Sequence, residues 1–165
     1  MQVNLRSFKQ KVKNNGKQLK SFLTKIQKRA PKGLDQLTQK LSKEVWAEVD
    51  CLTCANCCKS MSPTFTKTDI KRISAHLKMT PASFTAAYLE YDKKDNDWIN
   101  ISRPCQFLNL KSNMCSIYEV RPADCSGFPH LTKKKMTEYM HVHKQNIEYC
   151  PATYKMVEKM KALIG

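Results

Sequence analysis

The stretch Asp50-Cys51-Leu52-Thr53-Cys54-Ala55-Asn56-Cys57-Cys58 gathers four of the chain's eight cysteines into eight residues. Two cysteines separated by two residues can turn both sulfurs toward one ion. Cys51, Cys54 and Cys57 make two such steps in succession, and a C-x2-C-x2-C run is the pattern that holds iron–sulfur clusters in bacterial ferredoxins. In those proteins the run continues to a local Cys-Pro. Here Cys58 intervenes, and the Cys-Pro pair stands far downstream at Cys150-Pro151. Cys57 and Cys58 are adjacent, and in extended chain neighbouring side chains project to opposite faces. One of the two is then expected to serve another site or to pack as a small hydrophobe.

Cys105, Cys115, Cys125 and Cys150 are the available partners. Two four-thiolate sites would use all eight cysteines, and one site would leave several over. Zinc and an iron–sulfur cluster both accept four thiolates, so the donor set leaves the choice between them open. Cysteines in a reducing compartment are thiols or metal ligands rather than disulfides. The first 30 residues have frequent lysines and no continuous apolar core, unlike a secretory signal, and no apolar run approaches the ~20 residues of a membrane helix. The expected location is the cytoplasm, and the expected role of the cysteines is metal binding.

Outward from the cysteines, 165 residues with 41% hydrophobic and 26% charged side chains suit one folded domain. Upstream, Phe8, Val12, Leu19, Phe22, Leu23 and Ile26 recur near helical spacing, with Gly16 weakening the middle and Pro31 and Gly33 ending the run. Leu34, Leu37, Leu41, Val45, Trp46 and Val49 form a second amphipathic stripe. Residues 1–49 therefore read as a basic helical hairpin that delivers the chain into Cys51, and residues 50–165 as the cysteine-cluster domain.

Downstream, Thr66 or Thr68 can cap a helix carrying Ile70, Ile73 and Leu77. Thr80-Pro81 opens another over 81–90. Asp92–Asp97 is a solvated loop, and Trp98–Ile101 a short strand. Pro104–Tyr118 reads as a β-hairpin with Cys105 and Cys115 flanking its Lys111–Asn113 turn. Arg121–Cys125 is a helical turn, residues 132–149 fit helix and extended chain equally, and Cys150-Pro151 begins a final helix. The expected fold is mainly α with a small β-hairpin, a single domain stapled by metal.

Histidines are secondary candidates. His76 lies in a helix, His130 follows Phe128-Pro129, and His141 and His143 would share a side if the chain there were extended. With eight thiolates available, none is expected to be a ligand. Glu119 and Arg121 stand between two cysteines, either as hydrogen-bonding partners of the ligands or as a surface ion pair.

The ordered set Cys51-x2-Cys54-x2-Cys57-Cys58, Pro104-Cys105-x-Phe107-Leu108, Cys115-Ser-Ile-Tyr-Glu-Val-Arg-Pro122, Cys125, Phe128-Pro129 resembles the YkgJ-type cysteine-cluster family. The resemblance runs from about Cys51 to Pro151. It implies a domain proposed to chelate zinc or iron, with all eight cysteines on the family's cysteine positions. The family also takes in flagellin lysine N-methylases, so the resemblance implies a second reading linked to S-adenosylmethionine chemistry.

Charge and motifs weigh these readings. The formal net charge is +15, of which residues 1–49 contribute twelve Lys/Arg against Asp35, Glu44 and Glu48. A basic surface attracts nucleic acid, acidic proteins or anionic lipid. However, the spacing fits no C2H2 finger, and no aromatics interleave with the lysines for base stacking, which argues against a nucleic-acid binder. The four glycines form no phosphate-binding loop, and the C-x3-C-x2-C spacing of radical S-adenosylmethionine enzymes is absent. The leading expectation is a cysteine-cluster protein holding an iron–sulfur cluster or zinc for structure, metal handling or electron transfer, with room for a protein partner.

Overall fold

The computed structural model describes residues 3–165. The chain is mainly helical with one small three-stranded antiparallel sheet. It forms two compact units, residues 3–54 together with 129–165, and Ala55–Phe128.

In the first unit, α1 (Leu5–Lys28) begins at Asn4, whose side chain accepts the Ser7 N–H, and ends with Lys25 and Lys28 beside its exposed carbonyls. It runs unbroken through Gly16, because its apolar stripe is buried on both sides of that residue at Phe8, Leu19, Phe22, Leu23 and Ile26. Tertiary packing outweighs the weak propensity of one glycine. Gly33 enters α2 (Leu34–Glu48) at φ 75°, a left-handed conformation that a Cβ would strain. Both helices pack on α9 (Pro151–Ile164), and α1 also meets α8 (Met140–Asn146). Ala152, Met156, Val157 and Met160 of α9 are wholly buried. Lys155 and Lys159 of α9 reach Glu48 of α2 at 2.9 and 2.7 Å, and their hydrogen bonds, Lys159 first, hold its pKa at about 2. The basic hairpin thus spends its apolar faces on its own unit. Among the described residues no helix is long and apolar enough to cross a membrane.

The second unit is built on a sheet ordered β1 (Thr64–Phe65), β3 (Asp97–Asn100), β2 (Leu89–Asp92). Thr80 caps α6 (Pro81–Tyr88) as expected, yet the helix stops at Tyr88 and residues 89–92 become strand. Cross-strand pairing explains the change: Tyr91 lies opposite Trp98 with ring centroids 5.2 Å apart and edge-on. Asn96, at φ 57°, makes the turn between β2 and β3. The hairpin expected at 104–118 is instead a compact knuckle. One bridge joins Leu108 to Cys115, and single hydrogen bonds on either side link Ser116 N–H to the Phe107 carbonyl and Asn109 N–H to the Met114 carbonyl. Beneath it lies a core of Phe65, Ile70, Ile73, Phe84, Leu89, Phe107 and Ile117, with Cys105 and Cys115 packed against its edge.

One buried carboxylate organises the far side of that core. Asp69 of α5 (Lys67–His76) completes a capping box with Thr66, and it is almost fully buried at 1% exposure. It pairs with Arg72 at 2.6 Å and accepts the Ala123 N–H at 3.1 Å. Burial pushes its pKa up, but the hydrogen bonds from Thr66, Arg72 and Ala123 outweigh it and leave the carboxylate below its ordinary value. A depressed carboxylate stabilises the fold above its unfolded pKa of about 4 and loses that contribution as pH falls through the lower native value. Asp69→Asn should therefore cost about 2–3 kcal/mol near neutral pH, because it leaves Arg72 and two N–H donors poorly matched. Chemical denaturation from pH 7 to 3 checks this: the variant should lose less stability on acidification than the parent.

Candidate metal centre

Cys57 and Cys58 lie in α4 (Asn56–Ser60), which Ala55 enters at φ 47°. A helical turn sets adjacent side chains about 100° apart rather than on opposite faces, and the two sulfurs are 3.9 Å from each other. The extended arrangement expected from the sequence is not the one adopted, and adjacency does not separate these thiols.

Four thiols of the second unit form a mutually interacting set. The charge of Cys58 acts on Cys105, Cys115 and Cys125. Cys105 acts on Cys115 and Cys125, and Cys115 acts on Cys125, so every pair in the set is coupled. They come from separate segments: α4, the two sides of the knuckle, and α7 (Ala123–Gly127). The Cys105 N–H donates to the Cys58 carbonyl at 2.8 Å, fixing the knuckle to α4.

Local backbone geometry favours thiolate over thiol at two of these positions. The Leu108 N–H donates to the Cys105 carbonyl at 3.0 Å, and nearby N–H groups of Phe107 and Leu108 favour the Cys105 thiolate and that of Ile117 the Cys115 thiolate. Asn100, only 2% exposed, donates from Nδ2 to the Cys105 sulfur at 3.2 Å and is itself held by Gln106 Nε2 at 2.9 Å. Nothing in the spacing singles out Asn100, which is apparent only once β3 is placed beside the knuckle. Arg121 lies above the Tyr118 ring at 3.8 Å and its charge favours the Cys115 thiolate. From the sequence, Arg121 is expected to hydrogen-bond, to favour neighbouring thiolates by its charge, or to sit in a surface ion pair; its Nη1 donates to the Tyr118 carbonyl at 2.6 Å, and its charge acts on Cys115.

The four thiols are electrostatically unequal. The hydrogen bond from Cys57 brings the Cys58 pKa down to about 7, against the opposing effect of burial. Burial raises Cys105 and Cys115, with the neighbouring thiolates adding to the effect. Burial followed by the Cys58 charge pushes Cys125 far above the ordinary thiol value. One thiolate thus forms readily, and each further one is resisted by those already present. A cation among them removes that repulsion.

The first unit holds Cys51, Cys54 and Cys150. The first two occupy the ends of the single turn α3 (Cys51–Cys54), where residues three apart share a face. Cys54 and Cys150 are buried and Cys51 is exposed. Cys150 is the N-cap residue of α9, and its side chain makes no capping hydrogen bond. Burial raises its pKa to about 11, with the Cys51 charge adding to the rise.

Among the described residues, no disulfide joins any of the eight cysteines, and no group of three or more Cys, His, Asp or Glu side chains is gathered as it stands into a geometry ready to hold a metal ion.

The histidines take different positions from those expected of extended chain. α8 carries both His141 and His143, leaving His141 exposed and His143 wholly buried. Among the described residues, neither ring nitrogen of His143 has a hydrogen-bond partner. Burial, followed by the charges of His130 and His141, lowers its pKa to about 4. The Tyr139 ring lies 6.0 Å from that of His130 and 6.5 Å from that of His143. His76 is on the surface in the last turn of α5.

A family model, CxxCxxCC, described as "Putative zinc- or iron-chelating domain", matches residues 50–151, and the chain belongs to that family. An uncharacterized protein of Methanocaldococcus jannaschii, MJ0661, is 33% identical over 84 residues, covering 48% of this chain. The aligned part amounts to 43% of that relative, so the chain spans less than half of its length. No solved structure matches the chain.

The Cys57–Cys58 contact is open to a direct check. In reduced, metal-free protein at pH 7, Cys58 should be the first thiol of the second unit to react with iodoacetamide, read by peptide mass spectrometry. Cys57→Ala should slow that reaction several-fold by raising the Cys58 pKa. Equal labelling of Cys58 and Cys125 would contradict the electrostatic ordering.

Proposed function

We propose that the chain is a metal-binding cysteine-cluster protein whose thiolates hold zinc or an iron–sulfur cluster, and that the metal's first role is structural. The observation that carries this reading is the fully coupled set Cys58, Cys105, Cys115 and Cys125, supplied by four segments of one small unit. The donors fit the group: sulfur-only sets suit zinc and iron–sulfur clusters. The Asn100 amide on the Cys105 sulfur and the N–H groups that favour the Cys105 and Cys115 thiolates are the kind of support that metal thiolates use. Family membership supports the same chemistry.

A structural role follows from what the set joins. Residues 55–128 have a sheet of two- to four-residue strands and a core of modest size. Units of this size commonly need a staple. Metal held by the four thiolates would fasten α4, both sides of the knuckle and α7 together. Structural zinc in small domains contributes an apparent ~10–16 kcal/mol, as much as the whole stability of many domains. Lys59 and Arg121, whose charges favour the Cys58 and Cys115 thiolates, would offset part of the negative charge left on such a site.

Elemental and sulfide analysis of anaerobically purified protein tests the proposal. The expected result is zinc or iron in stoichiometric amount, with acid-labile sulfide and broad visible absorption if the group is a cluster. Cys125→Ser should lower the metal content, and chelation should lower the thermal midpoint by ten degrees or more. Protein that is metal-free under these conditions and indifferent to chelators would contradict it.

A further inference from the structure

Two side-chain amides of the second unit form a short run that starts on a backbone carbonyl and ends on a sulfur. Gln106 Nε2 donates to the Tyr88 carbonyl at 3.0 Å and to Asn100 Oδ1 at 2.9 Å, and Asn100 Nδ2 donates to the Cys105 sulfur at 3.2 Å. We propose that Asn100, held in one orientation by Gln106, is a positioning residue of the metal centre that fixes an N–H on the sulfur of Cys105 as a metal-bound thiolate. This rests on the thiolate metal binding proposed above and deepens it by naming the side chains that control one of the ligands.

The direction of the run follows from its first member. An amide side chain can turn over and exchange its oxygen for its nitrogen, so a chain of amides takes its polarity from a group that cannot. The Tyr88 carbonyl is such a group, because it can only accept. Gln106 has to face it with nitrogen, since oxygen there would meet oxygen at 3.0 Å. The same nitrogen lies 2.9 Å from Asn100 and requires the oxygen of that amide, which leaves Nδ2 for the sulfur. The other side of Gln106 agrees: the Ser102 hydroxyl is a donor 3.2 Å from Gln106 Oε1. The backbone of Asn100 is pinned as well. It pairs with Leu89 in the sheet, and its N–H donates to the Ser62 hydroxyl at 2.9 Å. At 2% exposure, its amide meets little competition from water.

A neutral thiol is a weak acceptor whose own S–H also needs a partner, whereas a thiolate only accepts. A buried donor locked onto the Cys105 sulfur is matched by the second form, in which the hydrogen bond is charge-assisted. On a metal-bound thiolate such an N–H holds the orientation of the sulfur and draws electron density from it, the part that outer hydrogen bonds play around metal ligands. Hydrogen bonds to sulfur are also among the factors that set the potential of an iron–sulfur cluster. The same amide therefore suits either kind of centre. Gln106 acts at one remove: its amide reaches the sulfur only through Asn100.

Nuclear magnetic resonance of the full-length, reduced chain loaded anaerobically with cadmium-113 tests the assignment. A proton hydrogen-bonded to a ligand sulfur couples through that sulfur to the bound cadmium nucleus. One Nδ2 proton of Asn100 should show this coupling in the parent chain, a result that needs no variant. Gln106→Leu should abolish it while cadmium stays bound. Asn100→Ala should weaken cadmium binding about 10–100-fold in competition with a chelator. The double variant should bind no more weakly than Asn100→Ala, because Gln106 acts through Asn100. Far-ultraviolet circular dichroism reports the fold of each variant, and the half-buried Gln106 is the position at which loss of structure is least expected. Bound cadmium without coupling to Asn100 in the parent chain would overturn the assignment and leave thiolate binding intact. Effects of Gln106→Leu and Asn100→Ala that add in full would overturn the link between the two residues. A chain that binds no cadmium would overturn the metal reading itself.

Discussion

Four sulfurs held in one another's electric field set the terms for residues 55–128. Cys105 and Cys115 pack against the edge of a small core, and three of the four are pushed above the ordinary thiol value by burial and by neighbouring thiolates. Without a cation the set carries little charge, because each thiolate makes the next more costly. With one, the same crowding becomes an advantage, since a single ion can meet donors from four segments at once. The Asn100 amide donates to the Cys105 sulfur, and N–H groups near Cys105 and Cys115 favour the charged form of each. A set of neutral thiols would not require them.

The rest of each unit can be understood as support for such a set. In residues 55–128, the Asp69 carboxylate ties α5 to the start of α7 through the Ala123 N–H. The Asp124 carboxylate in turn accepts the Thr64 N–H of β1 at 3.1 Å. These contacts hold α7, and with it Cys125, against the sheet. In the other unit, α9 is the central element, buried along most of its length and bound to both arms of the basic hairpin. Cys150 is its N-cap residue.

Helices were legible wherever a stripe and a cap coincided, as at Thr66, Thr80 and Pro151, because both signals are local. The boundary at Tyr88 was not legible. Residues 89–92 are compatible with helix on their own, and only the pairing with β3 makes them strand. The knuckle was overread as a hairpin for the opposite reason. Its turn chemistry at Asn109–Asn113 is genuine, but the chain leaves the ladder after one bridge. Within the candidate site, cysteine spacing points to thiolate chemistry. It could not show which sulfurs are neighbours, since that depends on the helical turns at Cys51–Cys54 and Asn56–Ser60. The same limit applied to Asn100 and to the burial of His143, whose positions are set by tertiary packing alone.

The central claim is that Cys58, Cys105, Cys115 and Cys125 together ligate one metal centre. X-ray absorption at the zinc or iron edge of the anaerobic triple variant Cys51→Ser/Cys54→Ser/Cys150→Ser tests it most directly, because only second-unit cysteines remain. The account predicts retained metal with a first shell of sulfur alone, at about 2.3 Å. A variant without metal, or a first shell dominated by nitrogen and oxygen, would contradict it.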